Sequence, residues 1–234
     1  MRLRVACLVA FALGAAPAAA AEIASARFTD PTTRYAHGVL GDAIEWGALE
    51  MRLTTGKRLR VVLPQSRVFE DLEPRLLDVD GDGAAEVVVV ESSQTQGARL
   101  SIYDEGGLVA ATPFIGQRNR WLAPVGAADL DGDGAVELAY VDRPHLAKTL
   151  RIWRFQQGAL QEVGQATGVT NHRIGEDFIS GGIRHCAGRA PEMITANANW
   201  TEIIATRFDG NATDSRAIAP FAGPESFAAA LACR

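Results

Sequence analysis

The chain has 234 residues, 47% hydrophobic and 22% charged, which is enough apolar sequence for a packed core and excludes a disordered tail or a collagen-like repeat. Its 23 glycines and 10 prolines favour frequent tight turns over long helices. A formal charge of −5 leaves no basic footprint, so neither nucleic acid nor anionic lipid is an expected partner.

At the start, Arg2 and Arg4 precede an apolar run from Val5 to Gly14, and Ala18 to Ala21 supply the small residues a signal peptidase cuts beside. Residues 1–21 are expected to be a signal peptide and the mature chain to be exported, periplasmic or secreted. The run is too short to span a bilayer, and nothing later approaches 18 uninterrupted apolar residues, so no membrane span is expected in the mature protein. Its removal takes two arginines away and moves the charge from −5 to −7. Cys7 leaves with it. Cys186 and Cys233 remain, an even pair in an oxidising compartment, where a disulfide is the expected state and two buried free thiols are the alternative.

From there the chain repeats. A first unit, 34–66, opens on Arg34-Tyr35 and supplies only a hairpin, Leu49–Leu53 and Leu59–Leu63 about the turn Thr54-Thr55-Gly56. The second, 67–119, opens on Arg67-Val68 and passes through an Asp/Gly segment from Leu77 into a buried strand, Glu86–Val90. An alternating strand, Arg99–Tyr103, and a turn at Gly106-Gly107 follow. The third, 120–172, opens on Arg120-Trp121 and repeats the Asp/Gly segment from Ala128 and the alternating strand at Thr149–Trp153. The fourth, 173–234, opens on Arg173-Ile174 and keeps a related strand at Ile203–Phe208. A full unit reads as a four-stranded antiparallel meander of about 50 residues, which cannot bury both faces alone and must stack on neighbours. The expected fold is all-β. It is a small β-propeller of four or five blades in a single domain over 22–234, closed by pairing of its terminal strands or left incomplete.

In each Asp/Gly segment the acidic residues fall at positions 1, 3, 5 and 9: Asp78, Asp80, Asp82 and Glu86, then Asp129, Asp131, Asp133 and Glu137. Alternate positions in a tight loop point oxygens at one centre, and the position 7 carbonyl, Ala84 or Ala135, can complete a hard-cation shell. All-oxygen ligands without His or Cys suit calcium, giving two expected calcium sites. These are not EF-hands, because position 12 is Val89 or Tyr140 where a bidentate glutamate is required. Solvated acidic turns are the plainer alternative.

The Asp-x-Asp-Gly-Asp-Gly loop running into an apolar strand resembles the FG-GAP/VCBS repeat family, whose members resemble the calcium-bearing blades of integrin α-chain propellers. The resemblance is closest over residues 67–155. It implies a calcium-stabilised β-structure that often serves adhesion or ligand binding, and it specifies no reaction. Two departures stand out: position 9 is glutamate where the family usually has aspartate, and the fourth unit has Arg184-His185-Cys186-Ala187-Gly188-Arg189 where ligands would fall.

The repeated arginines carry the remaining polar signal. Arg34 is followed by His37, Arg67 by Glu70 and Asp71, Arg120 by Ala123 and Pro124, and Arg173 by Glu176 and Asp177. Units related by rotation would set these positions around one face, able to bind a protein or glycan ligand; pairing between adjacent blades is the structural alternative. His145 reads as a surface or capping residue, and Trp46, Trp121, Trp153 and Trp200 as packing between blades. Together these readings predict an exported calcium-binding repeat protein acting as a non-catalytic binding or adhesion-type module. The alternative is a hydrolase or lyase acting on an extracellular polymer through the charged central face.

Overall fold

Runs of β-branched and aromatic residues cut by glycine turns form seventeen strands in the computed structural model, whose described residues are 22–234; the expected signal peptide, 1–21, lies outside them. All strand pairs are antiparallel and fall into three sheets. The first holds β1 (Ile23–Thr32), β2 (Glu45–Leu53), β3 (Arg58–Val62), β4 (Arg67–Phe69), β5 (Arg75–Leu77), β6 (Glu86–Ser93), β7 (Gly97–Asp104) and β8 (Gly107–Ala111). The second is the meander β9 (Leu122–Ala128), β10 (Glu137–Asp142), β11 (Thr149–Gln156) and β12 (Ala159–Thr167). The third holds β13 (Val169–Thr170), β14 (Gly182–Arg184), β15 (Glu192–Asn197), β16 (Glu202–Phe208) and β17 (Thr213–Pro220).

The hairpin expected over 49–63 is β2 and β3, with Met51 opposite Leu59. The backbone differs from separate meanders at two places: β13, inside the third unit, pairs with β15 of the fourth, and the first two units are joined. β3 covers β2 only over residues 48–52, so the Trp46 end of β2 is free to pair with Phe69 of β4, and the first two units share one sheet.

β6, expected to be buried, is buried on both faces, and so is β11, whose alternation was expected to mark a half-buried strand. In β6, Val88 and Val90 enter a core shared with Leu138 and Tyr140 of β10, while Val87 and Val89 enter a core shared with Leu49 and Met51 of β2. β11 divides in the same way: Trp153 and Phe155 face β6 and β7, and Leu150 and Ile152 face Met193 and Phe208 of the third sheet. A sheet between two neighbours has no wet face, so alternation of apolar and polar residues gives way to continuous burial. Each fully buried valine or leucine contributes roughly 1.5–3 kcal/mol relative to exposure.

The outer face of β15 and β16 is covered by the helix α1 (Pro224–Leu231), a feature absent from the sequence reading. Pro224 sits in its first turn, where a missing N–H costs nothing, and Phe227 and Ala230 pack on Ile194 and Ile203. A disulfide between Cys186 and Cys233, Cα atoms 5.8 Å apart, ties the second residue after α1 to the turn before β15. Among the described residues no helix is long and apolar enough to cross a membrane.

Among the described residues β1 pairs with β2 and β17 with β16, and the first and last units are joined through a loop. The segment 33–44 between β1 and β2 makes the connection. Val39 accepts the Gly175 N–H at 3.1 Å, the Tyr35 hydroxyl accepts the Asn119 N–H at 2.9 Å, and the Arg34 guanidinium donates to the Arg67 carbonyl at 2.6 Å. One segment of the first unit therefore bonds to both the second and the fourth.

Candidate functional site

Both acidic loops connect the incoming strand of a unit to its buried one, β5 to β6 and β9 to β10, and they are locally alike. In the first, Asp78 accepts the Gly81 and Gly83 N–H groups, Asp80 accepts that of Asp82, and Asp82 accepts that of Ala84. In the second, Asp129, Asp131 and Asp133 repeat the pattern to within 0.1 Å. The glycines at 81, 83, 132 and 134 all have positive φ, which lets the chain curl around its own carboxylates.

Position 9 is the deepest acidic residue of each loop. Glu86 Oε2 accepts the Val79 N–H and Glu137 Oε2 the Leu130 N–H, both at 2.9 Å, so the glutamate pins the loop's base with one oxygen and leaves the other for the centre. A glutamate fits where aspartate was the expectation because its extra methylene spans that distance. Asp78, Asp80 and Glu86 bring one oxygen each within 4.8 Å of one another, as do Asp129, Asp131 and Glu137. Asp82 and Asp133 stand outside these triads. Burial pushes the pKa of Glu86 up, and the charges of Asp80, Asp82 and Asp78 add to it; a cation would relieve that repulsion. The donor set, carboxylates with no nitrogen or sulfur, fits a hard divalent cation.

The loops differ in one neighbour. Arg154 of β11 reaches the second with Nη2 2.5 Å from Asp131, Nη1 2.9 Å from Asp133 and Nε 2.6 Å from Glu137. Among the described residues no basic side chain lies within ion-pair distance of Asp78, Asp80, Asp82 or Glu86.

A second feature lies where segment 33–44 meets the other units. A cavity of about 200 Å³ is lined by His37, Arg120, Trp121, His145, Leu146 and Ile174 among others. His37 Nδ1 is 2.6 Å from Oε1 of the buried Glu70, which also accepts the Ser92 hydroxyl and whose carbonyl accepts the Trp121 indole N–H. Burial pushes the Glu70 pKa up, against the pull of His37 and Ser92. His145 Nε2 is 3.0 Å from His172 Nδ1, and His172 Nε2 is 3.0 Å from the Glu176 carbonyl. A carbonyl only accepts, so the network assigns the proton of neutral His172 to Nε2 and that of His145 to Nε2, leaving His145 Nδ1 a lone pair. Burial first, then the charges of His172 and His37, push the His145 pKa down to about 4.

The repeated arginines behave unequally. Arg67 pairs with Glu91 at 2.8 Å, Arg120 donates to the Asn119 carbonyl, and Arg173 lies over the rings of Trp200 and Phe221 with Glu176 at 3.7 Å. Asp71 is bonded by Arg75 of its own unit. Two side chains of that set bond across units: Glu70, whose partner is His37, and Arg34, which donates to the Arg67 carbonyl. His145 is half-buried, bonded and at the cavity rather than a plain surface residue.

Residues 78–140, which contain both acidic loops, are an FG-GAP-like repeat. No curated protein matches the chain. Among solved structures, the crystal structure of exotype rhamnogalacturonan lyase YesX aligns with a TM-score of 0.46 and 15% identity, over 80% of this chain and 40% of that one. The chain thus spans less than half the length of that protein.

Proposed function

We propose that this is an exported, calcium-stabilised β-repeat protein that acts as a non-catalytic binding or adhesion-type module. Its four units, 34–66, 67–119, 120–172 and 173–234, are blades of one small, open propeller over 22–234. The observation that carries the calcium reading is the pair of near-identical loops, each turning three carboxylates onto one centre. The propeller reading is supported by the succession of cores between consecutive sheets and by segment 33–44, which bonds to the second and fourth units and lines a cavity with the third. On that face Arg120 makes no ion pair among the described residues, and Leu146 and Ile174 are exposed, which suits a polar ligand with some apolar surface, a protein segment or a glycan. Screening peptide and glycan arrays with the mature protein, with and without calcium, tests the binding role. Reproducible binding lost in Arg120→Ala supports it, and binding indifferent to residues of this face refutes the placement.

The Glu70–His37 pair favours a second reading, a hydrolase or lyase acting on an extracellular polymer. A buried carboxylate that fixes one imidazole nitrogen leaves the other oriented as a proton acceptor. Polymer cleavage by the parent that disappears in a well-folded His37→Gln variant would establish it in place of the binding role.

A further inference from the structure

The two acidic loops share a backbone and differ in what lies over them. β10 and β11 set Glu137 opposite Arg154. In the preceding unit Val87 faces Tyr103, so the same ladder continued one step sets Asp104 opposite Glu86. The repeat has a positive charge over one loop and a negative one over the other. Asp104 is turned away to accept the N–H groups of Gly106 and Gly107.

We infer that Arg154 is the resident cation of the third unit's loop, so that the chain takes up one calcium, in the Asp78–Glu86 loop, and keeps the Asp129–Glu137 loop closed without metal. The inference rests on the calcium reading above and corrects its count.

The oxygens of the second loop are already committed. Glu137 gives Oε1 to Arg154 and Oε2 to Leu130 N–H; Asp131 gives Oδ2 to Arg154 and Oδ1 to Asp133 N–H; Asp129 holds Gly132 and Gly134. A calcium ion needs six to eight oxygens about itself and cannot share a carboxylate face with a guanidinium occupying it. Charge-assisted bonds to a planar guanidinium are roughly twice as strong as neutral ones, and the guanidinium stays charged throughout the working pH range. In the first loop Glu86 Oε1 and Asp80 Oδ2 have no hydrogen-bond partner among the described residues.

Access differs as well. The turn between β16 and β17 lies on the second loop so closely that a Cβ on Gly210 would stand 2.7 Å from Asp131 Oδ2, and the Asp131 side chain is 6% exposed. Asp80, its counterpart, is exposed. An ion entering the second loop must displace Arg154 and lift a turn of the fourth unit; one entering the first must do neither.

Calorimetric titration of the chelator-stripped mature protein with calcium, taken above the roughly 10⁻⁴–10⁻³ M range of extracellular modules, reads the count directly. The expected result is one calcium per chain in the parent, none in Asp80→Ala, and one still in Asp131→Asn. Arg154→Gln is expected to bind two and to melt lower than the parent in chelator. Two ions in the parent, or one ion in Arg154→Gln, overturns the inference while leaving the calcium reading standing. No uptake by parent or variant overturns both. Should Arg154→Gln fail to fold, Asp131→Asn decides alone: a count falling from the parent's value shows that the second loop does bind the ion.

Discussion

His37 Nδ1 stands 2.6 Å from Glu70 Oε1, which joins a loop residue of the first unit to a carboxylate with no exposed surface in the second. Removing one partner of such a pair leaves the other desolvated and short of a hydrogen bond. His37→Ala is therefore expected to lower stability by about 3–5 kcal/mol, and Glu70→Gln by less, since an amide oxygen still accepts from Ser92. Denaturant unfolding of the two variants checks this. Equal and negligible losses would show that the pair adds nothing to the junction.

Calcium should stabilise the folded state by about 2.7 kcal/mol per occupied site at a hundredfold excess over Kd. A chelator is expected to lower the melting midpoint of the parent and to leave that of Asp80→Ala unchanged. A parent midpoint indifferent to chelator, with no calcium taken up, would leave two hydrogen-bonded acidic turns.

Glu45 lies beside Glu70, Asp42 and Asp71, and its burial, then their charges, push its pKa up to about 9. The folded chain thus holds a proton that the unfolded chain releases above about 4.5, so this residue's contribution falls as pH rises from about 4.5 towards 9. Glu45→Gln should melt higher than the parent at pH 8 and match it near pH 5. His145, held down at about 4, acts in the opposite sense: its contribution is lost as pH falls from about 6.5 towards 4. Melting profiles of parent and Glu45→Gln that run parallel from pH 5 to 9 would refute the assignment to Glu45.

Reduction should add the mass of two hydrogens to the mature protein, and Cys186→Ala is expected to cost roughly 2–4 kcal/mol, because the bridge closes a 47-residue separation. Alkylation of both thiols without reductant would contradict the bridge. Loss of the bridge should expose α1 first, since Phe227 and Ala230 are the buried residues of its contact with the third sheet.

What was legible in the sequence is what is encoded locally. The acidic loops are, because carboxylates and glycines at fixed offsets determine the curl by themselves, and the β2–β3 hairpin is, because a glycine turn sits between two apolar runs. The burial of β7 and β11 on both faces was not, since Arg99 and Arg151 mimic a wet face while their guanidinium groups bond Glu91 and Asp142. The pairs His37–Glu70 and His145–His172 join residues 33 and 27 positions apart, and nothing local marks them. Arg154 has a local trace: the strand copies carry Asp104 and Arg154 at one repeat position, a reversal of charge. The Gly223-Pro224-Glu225 start of α1 was a further signal, masked by the expectation that only strands would follow.

One wall of the cavity is fixed from beneath. Ala98 donates to the Arg120 carbonyl at 2.8 Å and accepts from Ile115, Gly116 donates to Gln96 at 2.7 Å, and Gly97 lies so close that a Cβ there would strike the carbonyls of Gln117 and Arg120. A wall held by the rim of a sheet does not swing open as a lid does. Under the proposed binding role, ligand capture would proceed without a gating step, with little reorganisation to slow encounter. Selectivity would then come from size and hydrogen-bond match at first contact, and residence time would depend on what the occupant bonds to rather than on how fast the protein lets it out.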